Sequence, residues 1–275
     1  MTLESDIVRN AFESAKSDGR TAIVPFLTVG HPTLEASLDC VVAVVKAGAD
    51  VVELGVPFSD PLAEGPVIQA SSFKALENGI TVSDCIEAAA ELRRRGVTVP
   101  LVLMGYYNPI ISYRSEKFCS DAAEAGVNGL IVPDLPTEEA GPLLKISGDH
   151  DLSLIPLVAL TSPESRIKAA AEIATGFVYC VSTLGVTGAR KEISGRVRGL
   201  VEMVKCHTSL PTGVGFGIST SAHVAEIGDF ADGAVVGSAL IRAIDNGSVD
   251  SASERAAEFV RELSSGSRGM KETAS

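Results

Sequence analysis

The stretch Val51-Val-Glu-Leu-Gly-Val56, followed by Pro57-Phe-Ser-Asp-Pro-Leu-Ala-Glu-Gly-Pro66, decides the fold. Residues 51–56 carry apolar side chains on both faces, without the alternation of a half-exposed strand. Such a run reads as a strand buried on both sides, as in parallel sheets covered by helices. A helical pattern over Ser83–Arg95 comes next, then a second two-sided apolar run at Pro100–Tyr106. Together they make a βαβ unit.

Outward from this unit the same alternation repeats. Strands are predicted at Ala22–Thr28, Asp50–Val56, Gly129–Asp134, Leu154–Ala159, Phe177–Ser182, Thr212–Gly217 and Gly233–Gly237. Helices are predicted at Leu34–Ala47, Glu116–Ala125, Thr137–Ile146, Glu164–Ala174, Val197–His207 and Ser221–Ile227. Thr137-Glu-Glu and Ser162-Pro-Glu place a hydroxyl cap before acidic first-turn residues. Eight alternating units in 275 residues, with no second compositional block, predict an α/β fold, a (β/α)8 TIM barrel. An open doubly wound sheet is the alternative. Leu3–Lys16 reads as an extra N-terminal helix plugging the barrel bottom. Residues 1–265 are expected to form one domain, and 266–275 a frayed tail.

A formal net charge of -12 argues against nucleic-acid backbones and anionic membrane surfaces as partners. Any phosphate must then be held by local backbone N–H groups rather than by a basic field. The five cysteines, Cys40, Cys85, Cys119, Cys180 and Cys206, form no C-x-x-C pair, which suits a reducing cytoplasmic setting. The polar start reads as no signal peptide, and the longest apolar runs are strand-sized, so no membrane span is expected. Asn246-Gly-Ser, formally a glycosylation sequon, reads as a polar turn.

Glu53 is the sharpest chemical signal. A carboxylate inside an apolar barrel strand is costly to bury and needs a partner or a task. Near the C-terminal end of such a strand the task is usually catalytic. A purely structural carboxylate bonded to a neighbouring hydroxyl is the other reading. Burial should raise its pKa toward neutrality, which suits a group that both gives and takes protons. Two βα connections are long, Pro57–Thr81 and Leu184–Gly195, and are expected to act as lids on the catalytic face. The first holds Asp60 and Glu64, either a solvated turn or, for Glu64, a second acid.

Three segments are phosphate candidates: Thr187-Gly188, Phe216-Gly217 with Ser219 and Thr220, and Gly237-Ser238. Gly213-x-Gly-x-Gly217 lacks the spacing of a dinucleotide fingerprint. No lysine lies in a predicted strand, which disfavours a Schiff-base aldolase. The histidines His31, His150, His207 and His223 show no metal-ligand spacing, and no metal is expected. His31, after the first strand, reads as a satisfied loop residue before a catalytic one.

Glu53-Leu-Gly-Val-Pro-Phe-Ser-Asp-Pro-Leu-Ala-Glu-Gly-Pro-Val-Ile-Gln69 resembles the tryptophan synthase alpha subunit family. Pro25-Phe-Leu-Thr-Val-Gly30, Met104-Gly-Tyr-Tyr-Asn-Pro109, Val132-Pro-Asp-Leu-Pro136, Gly185-Val-Thr-Gly188, Gly215-Phe-Gly-Ile-Ser219 and Val236-Gly-Ser238 agree in order. The resemblance covers about Ile7 to Val260. It implies a lyase that cleaves indole-3-glycerol phosphate to indole and glyceraldehyde 3-phosphate, in tryptophan biosynthesis. It implies Glu53 as the general acid/base and Glu64 as the second acid, where the family usually has aspartate. Thr187 would bond that acid when the second lid closes, and Tyr179 would stand beside Glu53. Gly188, Gly217, Gly237 and Ser238 match phosphate-binding positions; Phe26, Tyr106, Ile131 and Phe216 match the indole pocket. Thr183 stands where some members have arginine.

The resemblance also implies a beta subunit that carries pyridoxal phosphate, in an alpha2-beta2 heterotetramer, with no cofactor in this chain. Pro57–Asp60 and Asp134–Pro136 would face that partner. A free-standing indole-glycerol-phosphate lyase and a non-catalytic phosphate-binding barrel are the competing readings.

Overall fold

A computed structural model describes residues 6–181, 190–215 and 217–267, with the backbone alone for 190–194. The strands are β1 Ala22–Thr28, β2 Val52–Gly55, β3 Leu101–Met104, β4 Gly129–Ile131, β5 Ser153–Ile155, β6 Leu157–Ala159, β7 Val178–Val181, β8 Thr212–Gly215 and β9 Gly233–Val236. All the pairings are parallel, in the order β5-β4-β3-β2-β1-β9-β8-β7-β6. Only Pro156 separates β5 from β6, and its carbonyl accepts the Tyr179 amide at 3.1 Å. The fifth strand predicted from sequence is therefore one strand divided at a residue with no N–H to give the ladder. Counted that way, eight strands close into the predicted barrel.

The helices are α1 Ile7–Ser17, α2 Leu34–Lys46, α3 Pro66–Glu77, α4 Val82–Arg94, α5 Tyr107–Tyr113, α6 Ser115–Glu124, α7 Gly141–Asp149, α8 Glu164–Ile173, α9 Arg190–His207, α10 Ser221–Gly228, α11 Ser238–Asp245 and α12 Ala252–Ser265. Two apolar layers result. The outer one lies between strands and helices and includes Val52, Leu54, Leu103 and Leu130. The inner one fills the barrel with Val24, Val51, Val102, Ile131, Ile155, Phe177, Tyr179 and Val235. Alternate residues of one strand fall into different layers, as the two-residue strand period requires.

The plug is α1. Its Val8, Phe12 and Ala15 are fully buried in the inner layer, and the Phe12 ring lies 4.8 Å from that of Phe177. Asp6 caps it, accepting from the Arg9 amide at 3.0 Å. The same carboxylate accepts from the Gly176 amide at 2.7 Å and the Ser153 hydroxyl at 3.1 Å, pinning the plug to the barrel. Asp6→Ala is expected to cost about 2–3 kcal/mol, a cap plus a stranded amide, with little effect on the mouth. Urea unfolding checks it; an unchanged midpoint would contradict the pinning role.

Three expectations need correction. The Pro57–Thr81 insertion is not a simple loop, because twelve of its residues form α3. Thr137 caps nothing: Thr137–Glu139 is a 3-10 turn without a side-chain cap, and α7 starts at Gly141. Pro163, not Ser162, stands at the start of α8, and Ser162 turns back to accept the Ala159 amide at 3.0 Å. In both cases a neighbouring backbone geometry displaced the hydroxyl from the cap position.

Candidate active site

Glu53 belongs to the inner face, because Val51 below it is an inner-layer residue and its neighbours Val52 and Leu54 are outer-layer ones. Phe26 of β1 and Val102 of β3 flank it in register. The side chain is 1% exposed, and Oε1 has no hydrogen-bond partner among the described residues. Burial, and then the charge of Glu64, push its pKa up to about 8. A purely structural carboxylate would be satisfied by neighbouring donors, and Oε1 has none among the described residues.

Glu64 precedes α3, whose start is fixed by Gly65 and Pro66. Burial pushes its pKa up to about 7. The backbone around it is held from three sides. Gln69 donates its side-chain amide to the carbonyls of Glu64, at 3.0 Å, and Pro61, at 3.3 Å. The Tyr106 hydroxyl accepts the Ala63 amide at 2.9 Å, and the Tyr106 ring stacks on Phe58 at 5.0 Å. Ser71 meets the buried Thr28 hydroxyl at 2.7 Å, which docks α3 on β1.

Tyr179 is buried on β7 in the inner layer, and its phenol pKa is raised by burial and by the charge of Glu53. Gly215 makes its position possible, because a Cβ there would lie 2.6 Å from the Tyr179 hydroxyl. Gly55 plays the same part for Phe26, whose ring tip would be 2.4 Å from an added Cβ. Either clash is too short for a real contact, so any side chain at these strand positions would displace a ring of the pocket. Ile131 lies in the same inner layer, 1% exposed.

Thus Glu53, Phe26, Tyr179 and Ile131 share the barrel interior, with Tyr106 and Glu64 brought to its mouth. Gly237 ends β9 beside them: a Cβ on it would meet Phe26 at 3.6 Å and Ile68 of α3 at 3.3 Å. It opens α11 without offering a side-chain cap, and Ser238 is the first helical residue. Gly217 follows β8 with a φ of +48° and is exposed. Thr220 caps α10, accepting the His223 amide at 3.3 Å. Thr183, Thr187, Gly188 and Phe216 lie outside the described residues, as do 184–189 of the second long connection, while α9 begins within it at Arg190.

The sequence reading assigned no role to Gln69 or Thr28, and read Phe58 only as part of a partner-facing segment. Gln69 closes the longest motif, and a polar residue one turn into the helix behind a buried acid was the available signal. His31 is a satisfied loop residue in one respect only: Nε2 bonds Asp245 at 2.8 Å, while buried Nδ1 has no partner among the described residues. Among the described residues no three His, Cys, Asp or Glu side chains gather as metal ligands, and no helix is long and apolar enough to cross a membrane.

Residues 12–274 match the family described as tryptophan synthase alpha chain. The chain belongs to that family. A tryptophan synthase alpha chain of Chloroflexus aurantiacus is 48% identical over 256 residues, 93% of this chain and 96% of the relative. A Roseiflexus member is also 48% identical, over 93% of this chain and 98% of its own. A crystal structure of Mycobacterium tuberculosis tryptophan synthase superposes with a TM-score of 0.88 at 38% identity, covering 96% of this chain and 99% of that one. The alpha chain fold is thus matched over nearly its full length. In Saccharomyces cerevisiae a protein named tryptophan synthase is 41% identical over 265 residues, and there the match spans 38% of the relative.

Proposed function

We propose that this alpha chain family member cleaves indole-3-glycerol phosphate to indole and glyceraldehyde 3-phosphate, with Glu53 and Glu64 as the reacting acids. The observation that carries the assignment is the Glu53 carboxyl, inward, desolvated and with an oxygen that has no partner among the described residues, at the mouth of an apolar barrel. At neutral pH its raised pKa keeps it protonated. It donates that proton to indole C3, and positive charge develops on the ring nitrogen. Glu64, ionised, accepts the indole N–H and stabilises that charge, which is the usual electrostatic source of rate. The Glu53 carboxylate then takes the proton of the glycerol hydroxyl adjacent to the breaking bond. The C–C bonding pair returns to the indole ring, the carbonyl of the aldehyde forms, and Glu53 ends protonated as it began.

Phe26, Tyr106, Ile131, Tyr179 and Phe216 would enclose the indole. Thr187 would bond Glu64 on lid closure. The amides of Gly188, Gly217, Gly237 and Ser238 would hold the phosphate, which suits a chain of net charge -12 lacking a basic field. A beta subunit carrying pyridoxal phosphate would consume the indole, in an alpha2-beta2 assembly of the cytoplasm. The yeast relative, in which the matching region is part of a longer chain bearing the whole enzyme's name, supports such a partnership. Leu62 supports a covered surface near Pro57–Asp60, since this apolar side chain is 91% exposed.

The test is indole release from indole-3-glycerol phosphate, with and without a beta subunit. Slow turnover alone and strong activation by the partner are expected. No release under either condition would overturn the assignment, and full activity alone would favour a free-standing lyase.

A further inference from the structure

We infer that His31 and Asp245 are positioning residues for the phosphate end of the substrate, acting through α11; the inference rests on the phosphate reading of Gly237 and Ser238. The helix is eight residues long and its N-terminus faces the mouth. Leu240, Ile241 and Ile244 bury one side of it, which fixes its depth but leaves its direction to contacts at its far end. Those contacts are polar. Arg255 of α12 donates to the Ala243 carbonyl at 2.9 Å and the Ile244 carbonyl at 2.5 Å, taking up acceptors that a helix end leaves open. Arg255 also donates to the Ser248 carbonyl at 2.9 Å, so the chain leaving α11 is held as well. His31 Nε2 donates to Asp245 at 2.8 Å.

The His31 contact reaches from another part of the mouth. Its loop follows β1, the strand that carries Phe26. The Asn78 side-chain amide, at the end of α3, donates to the carbonyls of Gly30 at 2.9 Å and Pro32 at 2.8 Å. At their other ends α3 and α11 approach where Ile68 abuts Gly237. The two helices therefore meet directly at their N-termini and through residues 30–32 at their C-termini. One carries Glu64 at its start and the other offers the phosphate amides. The His31–Asp245 bond is the link that sets their relative angle. A His31 ring retained for packing alone would gain nothing from a buried Nδ1 that has no partner among the described residues.

The experiment uses Asp245→Ala, His31→Phe and the double variant of the full chain. Asp245 is about half-exposed, but its loss strands the buried His31 Nε2, so only a small fall in the thermal midpoint is expected, with the chain still folded. The probe is sn-glycerol 3-phosphate, which carries the phosphate end without the ring, followed by calorimetry. Each single variant should weaken its binding and raise KM for indole-3-glycerol phosphate about fivefold, with kcat changed less than about twofold. The double variant should be no worse than either single, because both remove one interaction. Unchanged probe affinity and KM in Asp245→Ala, or additive losses in the double variant, would overturn the inference alone. If the unaltered chain failed to bind the probe, the phosphate reading of α11 would fall, and this inference with it.

Discussion

Glu53→Gln is expected to lower indole release by at least about 10²-fold while the barrel stays folded and still binds sn-glycerol 3-phosphate. The amide is nearly the shape of the protonated acid but can neither deliver a proton to C3 nor take one from the hydroxyl. The same substitution should move stability in the opposite direction, and pH reveals it. Glu53 has a folded pKa of about 8, well above its unfolded value of 4.5. Below the unfolded value both states hold the proton, and burial costs nothing in charge. Between the two, the unfolded chain releases the proton while the folded chain keeps it, so wild-type stability falls with rising pH. Above the folded pKa the loss is complete, on the order of 3–5 kcal/mol. Glutamine has no such loss. Urea unfolding should show wild type and variant matched near pH 4 and the variant more stable near pH 9. A variant that is inactive and also less stable at pH 9 would mark Glu53 as structural.

Glu64→Gln should cost about 10²-fold in cleavage, through loss of the charge opposite the indole nitrogen. Its pH profile separates the two acids. Glu53 acts first in its protonated form, so kcat/KM of the wild type should fall as pH rises past about 8. Glu64 acts ionised, so activity should fall as pH drops below about 7. The two acids interact, and the limbs belong to the pair. Removing the Glu64 charge removes one of the two causes raising the Glu53 pKa. The variant should therefore lose its acid limb, and its alkaline limb should move to lower pH. A profile identical in shape to wild type would show that Glu64 does not share the site's field.

The barrel was legible because its strands are apolar on both faces, and Glu53 stood out against that background. The insertion after β2 was legible as functional but not as helical. The inward face of α3 is Ser71, Ser72 and Ala75, while Phe73 points outward half-exposed, so its pattern inverts the usual amphipathic sign. Those serines bond Thr28 and the Phe58 backbone, contacts that only folding brings into range. The break at Pro156 was hidden because apolar residues continue through it. Glu64 was readable from its motif, but the Gln69 and Tyr106 bonds that hold its backbone depend on α3 being a helix.

The plug also has a consequence for how the chain is made. The α1 segment leaves the ribosome long before β7, so Asp6 must wait for Gly176, 170 positions later, and Phe12 for Phe177. Until then its apolar stripe has nothing permanent to cover it. Vectorial synthesis thus leaves α1 without its lasting partners while the next 170 residues are made, a window in which chaperone capture or premature association competes with closure.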